Sequence, residues 1–180
     1  EGSCLRIELY GINALTEAVR ESSVDLSKLV MGAPNLRNSK WVNSYAKEFG
    51  TPIAFIAEGT HNVQKETPTV IGDVKGKHVI IYNDLITDSK LIVDACELYL
   101  SAGATHVDVI LSHFAVTVPE EIQKIIDSPI TKIYATNSHP VTQCDLVQNC
   151  EKFKIVDVTA DFVQCLFEML PSDRFPRKSF

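Results

Sequence analysis

Several chemical signatures are missing from these 180 residues. No run of roughly 20 apolar residues is present, so no segment reads as a membrane-spanning helix. A formal net charge of −6, from 17 Lys and Arg against 23 Asp and Glu, leaves no surplus of cations for a phosphate backbone and argues against a nucleic-acid partner. The five cysteines, Cys4, Cys96, Cys144, Cys150 and Cys165, form an odd set with no CxxC pair. Cys96 and Cys165 stand among apolar helix residues, which predicts a reducing compartment and no metal cluster. The five histidines show no HxxxH spacing and no Gly-x-Ser-x-Gly elbow occurs, so neither a zinc site nor a serine-hydrolase nucleophile is expected. No basic leader followed by an apolar run opens the chain, and the expectation is a cytoplasmic protein.

What is present is the composition of an ordinary globular chain, with 45% apolar and 22% charged residues. That length supports one substantial core and is short for two, so a single domain over residues 1–180 is expected. Short apolar runs at 29–31, 53–56, 79–82, 107–111, 133–135 and 154–158 read as buried strands. Between them Val42, Tyr45, Ala46 and Phe49 recur at helical spacing and stop at Gly50; Leu91, Ile92, Ala95, Leu98 and Ala102 do the same before Gly103. Thr117-Val118-Pro119-Glu120 combines a capping box with a first-turn proline, and Ile122, Ile125 and Ile126 supply the buried side of that helix. A last helix is expected over 159–170, and the polar stretch 58–68 reads as an exposed loop. This alternation predicts an α/β fold, a mostly parallel sheet flanked by helices, with ligands at the C-terminal ends of the strands.

Gly72-Asp73-Val74-Lys75-Gly76-Lys77-His78-Val79-Ile80-Ile81 is a glycine-bracketed turn feeding an apolar strand. Preceded by His61-Asn62-Val63, it resembles the phosphoribosyl pyrophosphate synthetase family, whose members read HNV, then GDVKGK, then an apolar strand ending in two acids. The likeness runs from Leu9-Tyr10 through Ser112-His113 and Thr136-Asn137-Ser138-His139-Pro140. It implies a type I phosphoribosyltransferase-like fold corresponding to the C-terminal half of the synthetase. The family makes phosphoribosyl pyrophosphate from ATP and ribose 5-phosphate with magnesium, using two tandem domains of this kind in an oligomer.

The family's pentose-phosphate loop reads like DDMIDTAGT: two acids for the ribose hydroxyls, then small residues whose amides cradle the 5-phosphate at a helix N-terminus. The matching stretch is Asn83-Asp84-Leu85-Ile86-Thr87-Asp88-Ser89-Lys90-Leu91. One acid survives as Asp84, Asn83 replaces the other, and Lys90 and Leu91 stand for a glycine and a threonine. A side chain at Lys90 obstructs close backbone approach, and Asp88 sets a carboxylate where the anion would sit. Thr87-Asp88-Ser89 is also a capping sequence in its own right, and the rival arrangement turns Lys90 inward onto a phosphate. A second loop, like SPDAGG in the family, is here Ala33-Pro34-Asn35-Leu36-Arg37-Asn38. Asn35 is a weaker magnesium ligand than a carboxylate, and Leu36, Arg37 and Asn38 replace small residues. Its plain reading is a strand-to-helix connection capped by Asn35. The third element, a basic arm like DKRR, is replaced by Ala57-Glu58-Gly59-Thr60, with His61 and Lys65 nearby; loss of such a cationic clamp removes several powers of ten in rate. His113 and His139 fall near strand ends, as cleft residues or as structural histidines.

The scaffold matches while three ligand loops diverge. The resemblance therefore implies a non-catalytic homologue, similar to the synthetase-associated proteins, acting as a regulatory or structural subunit in nucleotide biosynthesis. It would carry no catalytic residue and no metal ligand, require no cofactor, use ATP and magnesium only if the family activity is retained, and form a homo- or hetero-oligomer with synthetase-like subunits. Two alternatives stand beside it: half of a divergent active ribose-phosphate diphosphokinase, and a module that binds a sugar phosphate or nucleotide without turnover. Open backbone donors around Asn35 and Ser89 favour ligand binding. Leu36, Arg37, Lys90 or Leu91 filling the cleft favours the interaction protein.

Overall fold

The computed structural model describes residues 8–57 and 68–169. Helix α1 (Ile12–Arg20) precedes strand β1 (Leu29–Ala33), helix α2 (Ser39–Phe49), strand β2 (Ile53–Ala57) and a short strand β3 (Thr69–Ile71). Then come β4 (His78–Ile86), α3 (Lys90–Ser101), β5 (His106–Phe114), α4 (Pro119–Asp127) and β6 (Ile133–Thr136). A single turn α5 (Asp145–Gln148), strand β7 (Phe153–Val156) and helix α6 (Thr159–Met169) complete the described chain. The sheet order is β3-β2-β1-β4-β5-β6-β7, with β3 antiparallel to β2 and every other neighbour parallel. This is the type I phosphoribosyltransferase fold.

Period-2 alternation distributes the strand side chains over two cores. Val79 and Ile81 of β4 face Ile92, Ala95, Cys96 and Tyr99 of α3 and Ile122 and Ile125 of α4. Ile80 and Tyr82 face Leu15, Ala18 and Val19 of α1 and Val42, Tyr45 and Ala46 of α2. Each fully buried aliphatic side chain contributes about 1.5–3 kcal/mol relative to exposure, which fixes the register of the strands. Gly50 caps α2 in the left-handed conformation, and Gly103, also at positive φ, follows the C-cap of α3.

Two local readings are corrected. Strand β4 does not stop at Tyr82: it pairs with β5 as far as Ile86 opposite Phe114, so Asn83 and Asp84 lie on the strand itself. Helix α4 has no capping box. Val118 is its extended N-cap without a side-chain hydrogen bond, because Pro119 fixes the entry and needs no amide acceptor. Of its first-turn acids, Glu121 is used on a neighbouring helix instead.

Candidate functional site

The two loops expected to hold phosphate converge where β1 and β4 lie side by side. Asn35 Oδ1 accepts from the amides of Arg37 at 3.0 Å and Asn38 at 3.3 Å, capping the 3-10 turn Leu36–Asn38. Those two amides are thereby consumed within the loop. The Asn38 side-chain amide donates to Asn83 Oδ1, and Asn83 Nδ2 donates to the Leu85 carbonyl at 3.1 Å. Asn83 is 5% exposed, so the residue replacing the family's first acid is a buried tie between the loops rather than an open hydroxyl acceptor. Asp84, next to it, is exposed.

The start of α3 is closed in the same way. Asp88 Oδ1 accepts from the Lys90 amide at 3.0 Å. Ser89, buried at the N-cap, gives its amide at 3.0 Å and its hydroxyl at 2.5 Å to Glu121 Oε2 of α4. A carboxylate oxygen from the neighbouring helix thus occupies the donors at this helix N-terminus, a position favourable to any anion. Lys124, one turn along α4, holds the other Glu121 oxygen. The Lys124 contact first, then the Ser89 hydroxyl and amide, keep the Glu121 carboxyl down at about 2 instead of its ordinary 4.5. Because the folded value is depressed, the stabilisation this tie supplies is complete above pH 4.5 and is lost as the pH falls through about 2. In a carbon-13 titration the Glu121 carboxyl should turn over near 2, with the Ser89 amide resonance following it. Ser89→Ala should move that midpoint upward; a wild-type midpoint at 4.5 would show that the tie does not form.

Beside these loops, on the α1 and α2 side of the sheet, a cleft of about 680 Å³ opens at the C-terminal ends of the strands. Its walls include Tyr45 and Tyr82, whose ring centroids are 4.4 Å apart, and Ser112, whose hydroxyl lies 3.0 Å from the Tyr82 hydroxyl. Burial raises both phenols, with Tyr82 pushed up to about 12, so both stay neutral hydrogen-bonding groups at ordinary pH. Asp84 and His113 also line the cleft, and His113 Nδ1 lies 2.7 Å from the Ser138 hydroxyl. His139 is a structural histidine: its Nδ1 accepts from the Val141 amide and caps the turn that follows.

Of the candidate residues, Asn35, Asn38, Asn83, Asp88 and Ser89 are engaged in ties within and between loops, and Asp84 and His113 face the cleft. Arg37 and Thr87 are exposed. Lys90 does not turn inward; its ammonium is 2.6 Å from Asp94 on the outside of α3. Leu36 and Arg37 are exposed and Leu91 is half-buried, so the side chains expected to block the cleft are not those that close the loops. Asn38 and Glu121 do it. Glu58, His61 and Lys65 lie outside the described residues. Among the described residues no group of three His, Cys, Asp or Glu side chains converges as for a metal ion. The Glu121 contact could not be anticipated locally, since 32 residues separate it from Ser89.

Comparison with known proteins agrees with this architecture. The chain is 28% identical over 159 residues to a ribose-phosphate pyrophosphokinase of Porphyromonas gingivalis, covering 88% of this chain and 49% of the relative. It is 24% identical over 164 residues to the corresponding protein of Clostridium acetobutylicum, covering 91% of this chain and 51% of the relative. The chain therefore spans about half the length of the curated relatives it matches. The crystal structure of phosphoribosylpyrophosphate synthetase from Mycobacterium smegmatis superposes with a TM-score of 0.75 at 22% identity, over 89% of this chain and 51% of that one. A family model, the phosphoribosyl synthetase-associated domain, matches residues 19–168. With most of its length inside that match and the fold in agreement, this chain is a member of the phosphoribosyl synthetase-associated domain family.

Proposed function

We propose that this domain corresponds to the C-terminal half of a ribose-phosphate pyrophosphokinase-like protein and works without catalysis, as a regulatory or structural subunit in nucleotide biosynthesis. The observation that carries the reading is the double closure of the loops: Asn38 on Asn83, and Glu121 on the amide and hydroxyl of Ser89. Phosphoryl transfer depends on positioning and on concentrated positive charge. Here the amides of Arg37, Asn38, Ser89 and Lys90 are satisfied by the protein, and Lys90, the cation that the pentose-phosphate loop itself carries, is paired outward.

Magnesium fits these loops poorly. It takes carboxylate, water and substrate-phosphate oxygens, yet Asn35 is neutral and its Oδ1 already accepts two amides, while Asp88 is engaged with the Lys90 amide. ATP and magnesium belong to this chain only if the family activity survives. Oligomerisation with synthetase-like subunits is supported by α6, where Phe162, Val163, Leu166, Phe167 and Met169 stand 41–56% exposed along one short helix.

The test pairs two assays. Given ATP, ribose 5-phosphate and magnesium, the protein should form no phosphoribosyl pyrophosphate above the enzyme-free blank. Co-expressed with an active synthetase, it should co-purify and change that enzyme's turnover. Product formation by this protein alone would sink the non-catalytic reading.

A further inference from the structure

The cleft at the strand ends has a chemistry opposite to that of a phosphate site. Three exposed aromatic side chains border it: Tyr10 before α1, Trp41 on α2 and Phe162 on α6, with 57%, 39% and 51% of their surface accessible. Three carboxylates, Glu8, Asp84 and Asp161, share the same lining, and among the described residues no Lys or Arg does. Tyr10 and Trp41 lie 5.6 Å apart and tilted, and the Tyr10 hydroxyl donates to Glu8 at 2.6 Å, so aromatic faces and acid are held together. Ring faces attract cations through their quadrupole, and carboxylates add a directional partner for guanidinium or ammonium. The Trp41 ring already attracts a cation of its own chain: the Lys40 ammonium, which does not line the cleft, sits 5.8 Å from its centroid.

We propose that this apolar, acid-lined cleft is a docking site for a cationic peptide segment of a partner subunit, with an arginine or lysine side chain entering between the aromatic rings and the carboxylates. The proposal rests on the partner-binding reading above and supplies its chemistry. Charge complementarity selects the occupant. A sugar phosphate would meet the Asp84 and Asp161 carboxylates with no Lys or Arg among the described lining residues, whereas a guanidinium finds aromatic faces and acids at once. The volume of about 680 Å³ is ample for one long basic side chain and its flanking backbone.

The chain contains one tryptophan, so Trp41 fluorescence reports occupancy directly. The probe is tetra-arginine amide, titrated into the full chain at low and at physiological salt, with tetraglutamate and inorganic phosphate as controls. A saturable change with tetra-arginine alone, weaker at higher salt, is expected. The double variant Asp84→Asn with Asp161→Asn should weaken it by at least about fivefold, and Phe162→Ala should weaken it independently. Glu151→Gln, just before β7 and so at the opposite, N-terminal end of the strands, should leave it unchanged. Circular dichroism checks that each variant is folded. No saturable response to tetra-arginine, an undiminished response in the folded double variant, or saturation by phosphate would overturn the proposal. None of these results measures turnover, so the cleft can fail while the non-catalytic reading stands, and product formation can defeat that reading while the cleft still binds the peptide.

Discussion

Tyr99→Ala should destabilise the domain by about 3–5 kcal/mol, the range for truncating a buried aromatic ring. Tyr99 is fully buried on α3, and its hydroxyl faces the Ala33 carbonyl oxygen at 2.8 Å and that of Ala54 at 3.0 Å. It therefore joins the end of β1, where the Asn35 loop begins, to the start of β2. The site it occupies admits no compensation from the sheet: a Cβ on Gly32 would stand 2.8 Å from Val79 Cγ1 and 3.1 Å from the Tyr99 ring. Tyr99→Phe separates the contributions, since it keeps the ring and removes the shared hydroxyl. It should cost about 1–3 kcal/mol. Urea denaturation of both variants checks the ordering; equal, small losses would mean that the ring fills no essential space.

Gly72→Ala should cost about 2–5 kcal/mol, combining left-handed backbone strain with a steric clash. Gly72 opens the turn out of β3 with φ +123, and an added Cβ would lie 2.8 Å from Ala54 Cβ and 2.9 Å from Ala54 Cα. Backbone cannot move aside as a flexible side chain can. Gly76, four residues on in the same motif, also has positive φ (+70), but a methyl added there would meet nothing within 4 Å, so Gly76→Ala should cost only about 1–2 kcal/mol. The two glycines bracket one turn for different reasons. A Gly76 loss equal to that of Gly72 in the same denaturation experiment would contradict this account.

The fold was legible because buried parallel strands are written as short apolar runs, and the stops at Gly50 and Gly103 are local signals. Less legible was β3, a three-residue edge strand paired among the described residues with β2 alone, with burial too slight to impose a pattern. Helix α1 does carry a helical spacing in Leu15, Ala18 and Val19, all buried, but no side-chain cap announces its start. At the site, the substituted positions Asn35, Asn83 and Lys90 could be read off one by one, whereas the way they are used could not. Asn38 meets Asn83 across 45 residues and Ser89 meets Glu121 across 32, and such pairings are set by the β1–β4 contact and the packing of α3 beside α4. The aromatic cleft draws on Tyr10, Trp41 and Phe162, three positions that share no motif and meet only once the sheet is formed.

Calorimetric titration of ribose 5-phosphate, with magnesium present and amide resonances followed in parallel, measures the closure of the loops most directly. With the Ser89 amide held by Glu121 and the Asn35 loop tied to Asn83, no saturable heat and no specific shift at Ser89 or Lys90 is predicted. Stoichiometric binding that displaces Glu121 and moves those two amides would contradict it.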